Sequence, residues 1–223
     1  MDSFAFRYIE KTIHQAMVQK LARVISGLHA ARLLMEKGFV QEQAALQRML
    51  DEFHEDITFL SYAVIFNNRI PLHQKYLDAF YEEEFDAPSA IESTQKRLMV
   101  KRTKIRAYIA QVSGPGLDPS TGVEAARTLS KTYSGYVHGA SPQIMDMFGG
   151  NPPHFHVNGM RGTPLQEEHQ HDLWNYFFRS IISFALVAKA FGDEELFRSL
   201  YDYHIEFDRQ SGRNNTVQNA DET

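Results

Sequence analysis

Apolar residues recur at three- and four-residue steps from the start of the chain. Ile9, Ile13, Met17, Leu21, Val24, Leu28 and Ala31 form a single stripe, the mark of an amphipathic helix. The pattern predicts a first helix over 2–37, stopped at Lys37-Gly38 by a basic last turn and a glycine cap. Ala45, Met49, Phe53, Ile57, Leu60 and Val64 predict a second helix over 40–66, closed by Asn67-Asn68. Pro71 opens a third, reaching 85. Its end, Glu82-Glu83-Glu84, opposes the helix dipole, so fraying or a basic partner is expected there. Ser89 with Glu92 reads as a capping box for a fourth helix, along which Ile91, Leu98, Ile105 and Val112 recur every seven residues. The loop "GPGLDPSTG" separates it from a fifth helix over 120–137.

The pattern then changes. Residues 139–162 hold "GASPQ", "GGNPPHFHVNG" and "MRGTP", which disfavour regular helix except for a turn near 143–148. A short strand is expected over 154–157. Phe148, Phe155 and Met160 argue for an ordered loop packed on the bundle. Thr163-Pro164, with Gln166 completing a capping box, starts a sixth helix to 191. Its second half, "IISFALVAKAF", is apolar nearly all round and so should be central. A last helix follows over 193–207, and the polar tail 211–223 reads as disordered. The expectation is an all-α single domain over 1–210: a bundle of about seven helices with one long ordered loop.

Composition narrows the function classes. The chain of 223 residues has no cysteine, which excludes disulfides, thiolate zinc sites and a cysteine nucleophile. The net charge of −5 gives no general attraction to nucleic acid, although a local basic patch could still bind it. No apolar run approaches the roughly 20 residues that span a bilayer, and the amino terminus lacks a basic start followed by an apolar stretch. A soluble cytoplasmic protein without membrane partners or cofactors is expected.

Several constellations could carry chemistry. Five of the ten histidines, His138, His154, His156, His169 and His171, lie within 34 residues. On a strand His154 and His156 would point the same way, as two metal ligands must. His169 and His171 would diverge on a helix; Glu168 with Asp172, or Glu167 with His171, are better-placed pairs. There is no HExxH, nor a pair of ExxH motifs, so no metal site is favoured and His154 and His156 are its weak candidates. In "RMLDEFHED", Arg48 and Glu52 are four apart, as are Asp51 and Glu55. They suit surface ion pairs or a partly buried pair holding a polar site. Lys96, Arg97, Lys101, Arg102, Lys104 and Arg106 suit a solvated face or a phosphate patch. In "RTLSKTYSGYVHG", Arg127, Lys131, Ser134 and His138 line one helix face, with Tyr133 and Tyr136 nearby. A helix-terminal histidine there could be a general acid or base, or a C-terminal cap.

The segments "AARLLMEKGFVQEQAALQRMLDE" and "YSGYVHG" together resemble the bacterial HEPN-type helical bundles, over about 30–138. The resemblance implies a dimerising bundle. In active members an arginine and a histidine on one helix cleave RNA, often in toxins or antiviral effectors. It places His138 as the motif histidine. Its arginine position falls at 131–133, where this chain has Lys131, Thr132 and Tyr133. Lysine lacks the planar fork of arginine, so the exchange is not conservative.

Three readings follow. In the first, an RNA-binding or RNA-cleaving defence-type protein uses His138, Lys131, Tyr133 and Tyr136 for catalysis, with Arg127, Ser134, Arg48 and Glu52 holding phosphate or another ligand. In the second, a non-catalytic helical protein binds a ligand or assembles with a partner. The third and weaker one is a metal-dependent hydrolase built on His154 and His156. RNA and a second copy of the chain are the expected partners.

Overall fold

The computed structural model describes residues 6–83, 87, 89, 91–93, 98–113, 131 and 133–212. Its helices are α1 (Ile13–Lys37), α2 (Val40–Ile65), α3 (Pro71–Tyr81) and α4 (Arg102–Ser113). Then come the helical residues 131 and 133–138, here α5, α6 (Ser141–Met145), α7 (Pro164–Ala190) and α8 (Glu194–Gln210). Strands β1 (Phe148–Gly149) and β2 (His154–Phe155) pair antiparallel between α6 and α7. The protein is an all-α helical bundle. No helix among the described residues is long and apolar enough to cross a membrane.

Local chemistry sets most helix ends. The first helix starts at Ile13, not at 2. Thr12 forms a capping box with Gln15, whose N–H donates to Thr12 Oγ1 at 3.3 Å while Gln15 Oε1 accepts from the Thr12 N–H at 2.9 Å. Ile9 therefore leaves the predicted stripe and is 99% exposed. The third helix stops at Tyr81, and the acidic run beyond it finds a basic partner: Glu83 pairs with Arg7 at 2.7 Å. The expected fourth helix is shorter than its heptad pattern. Glu92 N–H does reach Ser89 Oγ at 3.3 Å, but residues 98–101 are non-helical and the helix begins at Arg102. Ile91 and Leu98 are exposed and only Ile105 of that series is buried. The loop over 114–122, most of the fifth helix and the tail beyond Gly212 lie outside the described residues.

The core forms where α1, α2, α3 and α4 meet. Phe59 is fully buried, stacks on His73 at 4.0 Å and meets Tyr108 edge-on at 5.1 Å. His73 also closes the start of α3. Its Nδ1 accepts from the Ile70 N–H at 3.1 Å, which leaves Nε2–H to donate to the Phe59 carbonyl at 3.3 Å. Beside this core lies a knot of charge. The fully buried Asp56 accepts from Lys20 at 2.7 Å and from Arg102. Arg106 pairs with Glu55 at 2.8 Å, and Arg48 with Glu52 at 2.8 Å. The basic run on the fourth helix is thus not one solvated face. Arg102 and Arg106 turn inward, Lys101 and Lys104 stay exposed, and Lys96 and Arg97 lie outside the described residues.

Helix α7 is central as its composition implies: it packs against α1, α2 and α8. The long loop is ordered and docked on the turn between α1 and α2. Met160 N–H donates to the Gly38 carbonyl at 2.7 Å, and Gln166 Nε2 to the Met35 carbonyl at 2.7 Å. The approach needs glycine: a Cβ on Gly159, at φ +103°, would lie 2.4 Å from the Lys37 carbonyl oxygen. Met160 is buried as expected, whereas Phe148 and Phe155 are largely exposed and pack on each other at 4.9 Å.

Candidate functional site

On α2, the residues Gln43, Gln47, Asp51 and His54 are spaced 4, 4 and 3, which places them on one face. All four are buried. That face meets α7. Arg179 pairs with Asp51, and Ser183 Oγ lies 2.8 Å from His54 Nδ1. Both contacts advance together along the two chains, so α2 and α7 run side by side in the same direction. The same register sets Gln47 and Gln43 at the levels of Tyr176 and Asp172. The result is a polar seam inside the bundle, where an apolar interface would be the ordinary solution.

The lower seam is internally satisfied. Ser180 donates its hydroxyl to the Tyr176 carbonyl at 2.6 Å. It therefore accepts from His54 Nε2–H, at 3.4 Å, and His54 Nδ1 accepts from Ser183. Burial and the Arg179 charge push the His54 pKa down to about 3, so this histidine is neutral.

Further up, the seam opens into a cavity of about 380 Å³ lined by Asp51, Tyr133, Asp172, Asn175, Tyr176, Phe178 and Arg179. Tyr133 on α5 donates to Asp172 Oδ2 at 2.8 Å. Burial and the carboxylates of Asp172 and Asp51 raise its pKa far above the usual tyrosine range. Tyr176 is raised likewise, by burial first and by Asp51. Arg179 holds its guanidinium 5.4 Å from the Tyr176 ring centre. Tyr136 Oη lies 3.4 Å from both Asp146 Oδ2 and His169 Nε2. Burial and Asp146 push the Tyr136 pKa up to about 12. The carboxylate is the stronger acceptor, so the Tyr136 hydroxyl points to Asp146 and His169 Nε2–H donates to Tyr136. His169 Nδ1 is then a bare acceptor, 4% exposed in its residue and without a hydrogen-bond partner among the described residues. Gln43 and Gln47 are each 0% exposed, and both amide ends of each lack a partner among the described residues.

The structure divides the residues that the sequence singled out on the fifth helix. Tyr133 and Tyr136 face inward onto Asp172 and His169. Lys131 and His138 are exposed on the outer side, and Ser134 is half-buried between. Arg127 lies outside the described residues, as does Thr132. Arg48 and Glu52 do pair, but on the Asp56 side of α2, where Glu52 also approaches Arg102 at 3.6 Å. The structure does not bring them to the α5 tyrosines. His154 and His156 do face each other, with ring centres 4.4 Å apart, and His154 Nδ1 lies 2.9 Å from the Pro152 carbonyl oxygen. Among the described residues no group of three His, Cys, Asp or Glu side chains converges as a metal site. His169 is buried and His171 exposed, the divergence expected from two steps along a helix.

Sequence reading missed Gln43, Gln47, Asp51, His54 and Asp172 as one site. The signal was present: a polar spacing of 4, 4 and 3 beside the apolar stripe of α2, and serines 180 and 183 inside the most apolar helix. No family model matches the chain, and neither a curated protein nor a solved structure matches it.

Proposed function

We propose that the protein is a non-catalytic helical ligand-binding protein, and that its site is the cleft between α2, α5 and α7. One observation carries this reading: fully buried amides on Gln43 and Gln47, with no protein partner among the described residues, share an α2 face with Asp51, which lines the cavity. An orphaned buried polar group costs about 1–3 kcal/mol, and native interiors hold few. A ligand that meets these groups when bound explains their presence; a purely structural interface would be more stable with leucine there.

The RNA-cleaving reading keeps one supporting observation. Lys131 and His138 are exposed seven residues apart, hence on one face of α5. The two readings separate experimentally. A thermal-shift screen of the purified protein against a small-molecule library is expected to give stabilising hits that Tyr133→Phe weakens and His138→Ala leaves intact. Incubation with labelled single-stranded RNA is expected to leave it intact. Degradation that His138→Ala abolishes would establish the RNA reading and remove the first; a library without a stabilising compound would also count against the cleft.

A further inference from the structure

The cleft's surroundings point to the chemical class of its ligand, an inference that rests on the ligand-binding reading above. We propose that it takes a small organic cation, a protonated amine or amidinium carried on a flat apolar body. The charge would sit on the side of Asp172 away from Tyr133, and the flat body against Tyr133, Tyr176 and Phe178.

Three observations carry this. The first is charge. Among the described residues the cavity lining holds two carboxylates, Asp51 and Asp172, and one cation, Arg179. Arg179 is engaged with Asp51. Among the described residues Asp172 has no ion-pair partner and accepts from a tyrosine hydroxyl. Asp146 and Glu168 add further negative charge beside the Tyr136 hydroxyl. An anionic ligand would meet net repulsion from these groups, and among the described residues of the lining a phosphate would find no cation free of Asp51.

The second is hydrogen-bonding sense. His169 lies one turn before Asp172 on α7, and its Nδ1 is an orphan acceptor. Gln47 lies one turn before Asp51 on the same face of α2, with both ends of its amide orphaned. Beyond the Gln47 amide, which calls for a donor and an acceptor alike, the seam leaves unmet the His169 Nδ1 acceptor, which an ammonium or amidinium group can meet and a carboxylate cannot. The third is the wall. Tyr176 already presents its face to a guanidinium, that of Arg179, at 5.4 Å. A ligand cation beside Tyr133 and Tyr176 would repeat that contact on the Asp172 side. A metal ion fits less well, because no three metal-binding side chains converge among the described residues.

The test uses the whole chain and five probes: benzylamine and benzamidine as cations, benzyl alcohol as the neutral analogue, and benzoate and adenosine monophosphate as anions. Titration calorimetry reads the affinity. The fluorescence of the single tryptophan, Trp174, which stacks on Phe178 at 5.1 Å, gives a second signal. The cations are expected to bind at millimolar concentration or below, and the other three to bind at least about tenfold more weakly. Asp172→Asn is expected to weaken the cations about tenfold or more, the loss of one charge-assisted hydrogen bond. Should that variant fail to fold, Gln47→Leu serves in its place, since an apolar residue of similar size suits the buried position. It is expected to weaken the cations as well. Benzyl alcohol or an anion binding as tightly as benzylamine, and weakened by Gln47→Leu, would overturn the cation inference and leave the cleft as the site. No binding by any probe would overturn the inference too; the library screen then decides whether the cleft reading falls with it.

Discussion

Asp56→Ala is expected to cost about 3–5 kcal/mol of stability, because it removes one partner of a buried ion cluster and leaves the others. Asp56 is fully buried and neutralises both Lys20 and Arg102. Lys20 is also enclosed by aromatic rings, at 4.8 Å from the Phe53 centre and 5.1 Å from that of Phe80. Without the carboxylate, two cations remain in a half-buried pocket where, among the described residues, only Glu52 and Glu55 are within reach of Arg102. Alanine improves helix propensity by about 0.5 kcal/mol, which offsets little of this. Typical domains hold 5–15 kcal/mol in total, so the variant should be close to unfolding at body temperature. Urea denaturation measures the loss, and a change below about 1 kcal/mol would mean the cluster is solvated and weak. The same cluster responds to acid. Burial alone would raise the Asp56 pKa, but Lys20 and Arg102 outweigh burial and hold it below its ordinary 3.8. Its contribution is therefore complete above pH 3.8 and is lost as the pH falls through the lower, folded value.

A second large effect sets in at milder pH. His54 titrates at 6.5 when unfolded and at about 3 when folded. Its neutral form is the one that fits between Ser180 and Ser183, next to Arg179. Stability from this group is complete above pH 6.5 and is lost progressively down to about pH 3. The slope is about 1.4 kcal/mol per pH unit over that window. His73, His169 and His204 are also held below 6.5, chiefly by burial, and act in the same direction. Burial raises the Glu55 pKa above 4.5, which opposes the trend in the lower part of the window. Urea midpoints at pH 7 and 4.5 should thus differ strongly, and His54→Gln should flatten the difference. Equal wild-type midpoints would show that His54 is charged or solvent-accessible in the folded protein.

Much of the fold was legible in the chain, because periodicity and caps report burial directly. The stripe of the first helix from Ile13 on, the Gly38 stop and the Thr163-Pro164 start correspond to a buried face or helix ends, whereas of the second helix's stripe only Ile57 and Leu60 are buried and Ala45, Met49, Phe53 and Val64 are half-buried. The fourth helix was overread because a seven-residue recurrence of four apolar residues says nothing about the backbone between them, and Ile91 and Leu98 are exposed. The candidate site was legible only in part. Tyr133 and Tyr136 were picked out as lying near a histidine, but not for Asp172 and His169, which are 39 and 33 residues away in sequence. Pairings that distant are set by how α5 and α7 dock, not by spacing along either helix. Asp51 was set beside Glu55 and left open between a surface and a partly buried place for the same reason: its partner, Arg179, is 128 residues on.

The central claim is that the cleft between α2, α5 and α7 holds a ligand. Diffraction from crystals of the protein soaked in benzylamine tests it most directly. The account predicts density for the amine within hydrogen-bond distance of the Asp172 carboxylate, with its ring against Tyr133 or Tyr176 and the Gln47 amide turned toward it. A cleft closed over by protein side chains, with the Gln47 and Gln43 amides paired inside the bundle and the amine elsewhere, would contradict it.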